Sequence, residues 1–245
     1  MMQGSGDSFL GGRITAQQPR DGFRSGTDAV MLAASVPAQA NDELLELGAG
    51  TGIGSLCLAA RVPDCRITGL EIFPGLVSLA QANAIINRME ARVSFACADI
   101  FDLPGPWRRE FDHVFCNPPF HGTEGETSPR EVRARALQDN GRLGDWLASG
   151  CKRVRAGGTF TAIVRTDRLK DALDALPATG ITLFPLWPRT GVPSTRMIVQ
   201  LRKNARTPPT LLAGLVLHEE NGNYTRDAEA VLREADSLAL GNPRR

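Results

Sequence analysis

Clustered cysteine, long apolar runs and an excess of either charge are all missing from this 245-residue chain. The five cysteines, Cys57, Cys65, Cys97, Cys116 and Cys151, are scattered without a C-x-x-C pair, which argues against a disulfide framework and against a zinc site. They are expected to be reduced and mostly in the core. Histidine is scarce, with His113 and His218 outside any metal-ligand spacing, so no metal is expected. No apolar run approaches the roughly 20 residues of a membrane span. The start, Met1-Met2-Gln3-Gly4-Ser5-Gly6-Asp7, shows no basic stretch followed by an apolar one, and a cytoplasmic location is expected. A formal net charge of +1 does not advertise nucleic-acid binding, and it leaves an RNA partner open. What is present is 42% hydrophobic residues, ample for a core.

Short apolar runs alternate with helix-like segments, the pattern of a doubly wound α/β fold with a mostly parallel sheet. Strands are predicted at 43–47, 66–72, 93–98, 113–116, 159–164, 181–186 and 196–201. A first helix carries Ile53, Leu56, Cys57 and Ala60 on one face. A second starts at Pro74, where a helix tolerates proline, with Leu76, Leu79, Ala80 and Ala84 as its buried stripe. Further helices are predicted near 144–154 and 167–176. The turn-rich connection from Pro188 to Pro193 is too short for a crossover, so the last two of the seven strands should form an antiparallel hairpin. The tail reads as an amphipathic helix capped by Thr225, with Ala228, Val231, Leu232 and Ala235 on one side. One domain is expected: a lead segment 1–28, a core 29–203 and an extension 204–245.

Four strand ends carry chemistry. After the first comes Glu46-Leu47-Gly48-Ala49-Gly50-Thr51-Gly52, whose glycines let the backbone turn tightly and approach a ligand. Counting from Gly48, Ile53 occupies the third glycine position of the dinucleotide fingerprint, so the loop is not that motif. Glu71-Ile72 ends the second strand, where a carboxylate can accept both hydrogens of a ribose diol. Asp99-Ile100 ends the third, where an adenine would lie. Asn117-Pro118-Pro119-Phe120 ends the fourth. Its prolines force an extended chain whose carbonyls face outward, the Asn117 amide oxygen adds an acceptor, and Phe120 offers a stacking face. Such a set suits gripping a planar amino group. Each piece alone has a plain structural explanation; their order along the sheet is what points to one crevice.

This order resembles the class I S-adenosylmethionine-dependent methyltransferases, and N-P-P-F resembles those acting on amino nitrogens. The resemblance implies that Gly48, Gly50 and Gly52, with Glu46, surround the methionine part of S-adenosyl-L-methionine. It places Glu71 and Ile72 by the ribose, Asp99 and Ile100 by the adenine, and Asn117, Pro118, Pro119 and Phe120 at the catalytic centre. The lead Gly11-Gly12-Arg13-Ile14 with 18–32, and the tail 217–225, are similar to the bacterial valine-tRNA adenine-N6 methyltransferases, the YfiC-like family. That implies an RNA substrate, with tRNA methylated at adenine in the anticodon loop. Gly26 and Thr27 would touch the methionine end, although Thr27 equally suits a helix N-cap. His121 extends the motif to N-P-P-F-H, a form met among enzymes methylating guanine N2 in ribosomal RNA, and N-P-P-Y relatives methylate protein glutamine. Both alternatives stay open, as does a non-catalytic binding module. Arg130, Arg133, Arg135, Lys152 and Arg153, with Arg108, Arg109 and Arg155, are candidate phosphate contacts or solvated faces. Oligomeric state is not legible.

Overall fold

The computed structural model of the chain describes residues 5–19, 24–119 and 142–241. A hairpin of β1 (Ser5–Phe9) and β2 (Ile14–Gln18) stands apart from the main sheet. Five parallel strands form the sheet's centre: β3 (Glu43–Leu47), β4 (Arg66–Glu71), β5 (Val93–Cys97), β6 (Phe111–Cys116) and β7 (Val154–Arg165). They lie in the order β5-β4-β3-β6-β7. The chain steps outward from β3 to β5, then returns to the other side of β3, so the order reverses between β3 and β6. In doubly wound sheets, ligands bind at that reversal, beyond the carboxyl ends of the strands.

The expected antiparallel hairpin is β8 (Ile181–Trp187) and β9 (Arg196–Arg202), with β9 inserted between β7 and β8 and antiparallel to both. Two short strands not read from the sequence, β10 (Thr210–Leu211) and β11 (Leu215–Val216), extend the far edge to nine strands. They are separate because Pro185 of β8 has no N–H to offer a neighbour between them.

Strand side chains alternate between two apolar layers, as the pleat requires. Leu44, Phe115, Ile163 and Ile198 face α1 (Thr27–Ser35), α2 (Ile53–Arg61) and α3 (Pro74–Ile86). Leu45, Leu47, Val114, Cys116 and Phe160 face α4 (Leu143–Lys152) and α5 (Leu169–Asp174). Each fully buried leucine contributes about 1.5–3 kcal/mol. α2 is buried nearly all round, beyond its predicted face, because α1 packs beside it. In α3, Val77 is buried and Leu76 only partly so. Arg61, ending α2, donates to the carbonyls of Ala33 (3.0 Å) and Val36 (2.5 Å) at the end of α1. The two helices therefore run side by side in the same direction, both amino ends toward the crevice.

β2 is short and thin in apolar residues, which hid it in the sequence. Two asparagines one turn apart, Asn83 in α3 and Asn87 at its C-cap, hold it. Asn83 Oδ1 accepts from Gln17 N (2.8 Å) while its Nδ2 donates to Gln17 O (3.0 Å); Asn87 does the same for Thr15 (3.0 and 2.7 Å). Side-chain amides thus supply the partners a neighbouring strand would. In the tail, Thr225 Oγ1 caps α6 (Arg226–Glu229) by accepting from Ala228 N (3.2 Å), and Ala228 and Val231 are buried as expected.

α4 approaches β7 through Gly150, where a Cβ would run into the Phe160 ring. Gly150→Ala should overpack this contact and cost about 1–3 kcal/mol, read from the urea midpoint at constant slope. An unchanged midpoint would show that α4 can back away from the sheet.

Candidate active site

Parallel register brings the four predicted strand ends to one level: Leu47 pairs with Leu70 on one side and Cys116 on the other, and Glu71 pairs with Cys97. Gly48, Gly50 and Gly52 all have positive φ. At Gly52 the constraint is double, since φ is +83° and a Cβ would lie 2.5 Å from the Phe95 ring. Gly50, at φ +56°, has open space where its Cβ would be, so the loop is bare at the point where a ligand could approach. A Cβ at Gly48 would meet the Trp146 ring at 2.6 Å.

Glu71 is buried and braces this loop. Its Oε2 accepts from Gly50 N (2.9 Å) and its Oε1 from Phe73 N (3.1 Å). Burial raises the carboxyl above its ordinary range, opposed by the N–H groups of Phe73, Gly50 and Ile72. A carboxylate has about four lone-pair directions, so each oxygen retains one for a diol. Ile72 beside it is 49% exposed, an apolar surface at the crevice. Asp99 is exposed and its Oδ1 turns the chain by accepting from Phe101 N (2.8 Å). Ile100 is buried, its carbonyl taken by Ser149 Oγ (2.7 Å).

Glu46 points away from this opening. Its Oε2 accepts from Ser55 N (2.9 Å) and Ser55 Oγ inside α2, and a Cβ on Gly54 would collide with its Oε1. Its role in the structure is to tie β3 to the first turn of α2. Burial pushes this carboxyl up to about 8, against the hydrogen bonds from Ser55.

Asn117 continues β6 into the reversal point. Its Oδ1 is buried and has no hydrogen-bond partner among the described residues. Leaving such an acceptor unpaired costs about 1–3 kcal/mol, so the position favours a donor arriving from a ligand. Pro118 is buried behind it and Pro119 half-buried. Phe120, His121, Arg130, Arg133 and Arg135 lie outside the described residues. Gly26, not Thr27, takes the N-cap position of α1, and Thr27 is the first residue inside the helix.

The remaining basic candidates are not brought to this crevice. Arg108, Arg109, Lys152, Arg153 and Arg155 flank the starts of β6 and β7, the opposite end of a parallel sheet. Arg109 pairs with Glu43, Arg155 with Asp112, and Arg153 donates to Arg108 O, so these guanidinium groups already serve the fold. His113 is likewise spoken for, between Thr159 Oγ1 (2.8 Å) and Asp42 Oδ2 (3.1 Å). Among the described residues no group of three His, Cys, Asp or Glu side chains could hold a metal, and no helix is long and apolar enough to cross a membrane.

Sequence reasoning passed over Trp146, whose buried indole packs on Gly48 and meets the Phe101 ring edge-on at 6.0 Å. It also passed over Asn83, which no motif marks, and met Gln18 only as the first residue of the lead segment 18–32, without a role of its own.

A family model described as a methyltransferase domain matches residues 44–141. A tRNA1(Val) (adenine(37)-N6)-methyltransferase of Porphyromonas gingivalis is 31% identical over 178 residues, covering 67% of this chain and 68% of that one. The chain belongs to this family of S-adenosylmethionine-dependent methyltransferases. Another member, from Vibrio campbellii, is 27% identical over 217 residues, covering 87% and 88% of the two chains. Among solved structures, a predicted O-methyltransferase from Agrobacterium tumefaciens superposes with a TM-score of 0.72 at 22% identity, over 86% of this chain and 98% of that one. At that identity the likeness speaks for the fold alone.

In this methyltransferase, Glu46 has a pH signature. The unfolded chain releases the Glu46 proton near 4.5 and the native state keeps it to about pH 8. Between those values the native state binds more protons, so stability falls as pH rises, by up to about 1.4 kcal/mol per pH unit, and levels off above the upper value. Glu46→Gln should flatten most of that fall in denaturation curves taken from pH 5 to 9. A profile as steep as the parent's would show that Glu46 ionises normally in the native state.

Proposed function

We propose that the chain methylates the exocyclic N6 of an adenine in the anticodon loop of a tRNA, with S-adenosyl-L-methionine as donor. The observation that carries this reading is the buried Oδ1 of Asn117, without a partner among the described residues, at the strand-order reversal beside the bare glycine loop and Glu71. The nature of the substrate comes from the relatives, which are named for adenine 37 of tRNA1(Val). Residues 29–203 form the working core, with 1–28 and 204–245 attached to it, in the cytoplasm where tRNA is modified.

The residues present fit the donor. Glu71 has free lone pairs for the ribose hydroxyls, Ile72 an apolar face for the adenine ring, Asp99 a free oxygen for its amine, and Gly48, Gly50 and Gly52 a loop without side chains. Gly26 and Thr27, at the amino end of α1, would meet the methionine end. When bound, S-adenosyl-L-methionine supplies an electrophilic methyl group on a cationic sulfur.

An adenine amine is a poor nucleophile because its lone pair is delocalised into the ring. Asn117 Oδ1 and the Pro118 carbonyl accept its two N–H groups, draw the nitrogen toward a tetrahedral shape and stabilise the positive charge it develops. Pro118 and Pro119 keep those acceptors extended and out of any helix. Phe120 stacks on the extruded base, worth about 1–3 kcal/mol. The proton leaves after the nitrogen has become cationic, so no general base is required before attack. Arg130, Arg133 and Arg135, close after the tetrapeptide in sequence, are the candidate phosphate contacts; Lys152 and Arg153 would reach only RNA that extends to the far end of the sheet.

Asn117→Ala should bind S-adenosylhomocysteine within about threefold of the parent by calorimetry while methyl transfer drops about a hundredfold or more. Full activity in this variant would overturn the role given to Asn117. Nucleoside analysis of labelled RNA should find N6-methyladenosine; label in N2-methylguanosine or in protein glutamine would overturn the choice of adenine.

A further inference from the structure

Two buried amides connect the crevice to the amino-terminal hairpin. Asn83, fully buried on α3, uses Nδ2 to bind Thr51 O of the glycine loop (2.9 Å) as well as Gln17 O of β2. The next residue, Gln18, is 2% exposed, and its amide grips both backbone groups of Ser25: Oε1 accepts from Ser25 N (2.7 Å) and Nε2 donates to Ser25 O (3.0 Å). Gln18 Nε2 also binds Asp7 Oδ2 of β1 (2.8 Å), and Asp7 pairs with Arg24 (2.5 Å). Ser25 is followed by Gly26 and Thr27, where α1 begins, and Asp28 is fixed to the start of β9 by Arg196 (2.9 Å).

We propose that Gln18 and Asn83 are positioning residues, through which the hairpin and the glycine loop hold Ser25, Gly26 and Thr27 ready for the amino-acid end of the cofactor. The inference rests on the reading that Gly26 and Thr27 meet that end. Residues 24–26 have no regular secondary structure, and a free segment there would lose conformational entropy each time ligand bound. A two-point grip on the Ser25 backbone meets that cost during folding, which leaves the segment preorganised. The bond to Thr51 sets its distance from the glycine loop, so the nucleoside and amino-acid halves of one ligand are received by surfaces in fixed relation.

The selective readout is the pair S-adenosylhomocysteine and 5′-methylthioadenosine, which share the nucleoside and thioether and differ in the amino-acid portion. Gln18→Met keeps the side-chain volume and removes the grip; Asn83→Ala removes the link to the loop. In both, Kd for S-adenosylhomocysteine should rise about tenfold while Kd for methylthioadenosine stays within about twofold. Asn87→Ala, which loosens the hairpin at Thr15, should lower Tm and leave the ratio of the two constants unchanged. Equal loss of both ligands, or of neither, overturns the proposal. In the unaltered protein the Ser25 amide should exchange slowly with deuterium before any ligand is added; protection acquired only on binding also overturns it, whether or not the variants fold. Failure of S-adenosylhomocysteine to bind the unaltered protein would instead defeat the cofactor reading itself.

Discussion

Parallel pairing of β3 with β4 on one side and with β6 on the other fixes where everything else in the molecule can be. Because the three strands run the same way in register, Leu47, Glu71 and Cys116 end together, and the chain must leave all of them at one end of the sheet. The return from β5 to β6 on the opposite side of β3 opens a gap there. The glycine loop, Glu71 and Asn117 stand at that end of the sheet. The same rule sends the loops before β6 and β7 to the other end, which is why their arginines serve the fold and not the crevice.

Around the gap, buried polar groups are bonded to the fold in different ways. Glu46, deepest, gives its Oε2 to both Ser55 N and Ser55 Oγ and so holds the loop onto its helix. Glu71, one strand over, spends one lone pair of each oxygen on backbone N–H groups and keeps the rest. Asn117 Oδ1 has no hydrogen-bond partner among the described residues. The two carboxylates thus brace the loop from either side, which keeps the surface beside Asn117 preorganised.

Much of this was legible in the residues. The seven principal strands appear where apolar runs meet turn residues, and the four strand-end motifs carry their chemistry in their side chains. What escaped prediction has physical causes. β2 is held by the amides of Asn83 and Asn87, partners more than sixty positions away in sequence that no local periodicity reveals. β10 and β11 are too short to show a period of two. Trp146 lies in a segment read only as a helix near 144–154, and its contact with Gly48 is what sets it apart. Thr27 looked like a cap because threonine often is one, yet Gly26 takes the position just ahead of it.

The broken border along β8 matters beyond the active site. A sheet edge is a template on which other chains can add strands, and aggregation begins on long uninterrupted ones. Here the edge is covered by two strands of two residues each, with Gly214 wedged against Pro185 between them. An incoming chain would find neither a continuous row of free amides nor a flat run to align with. Pro185, a single missing N–H in the middle of β8, thereby gives the molecule a measure of protection against self-association.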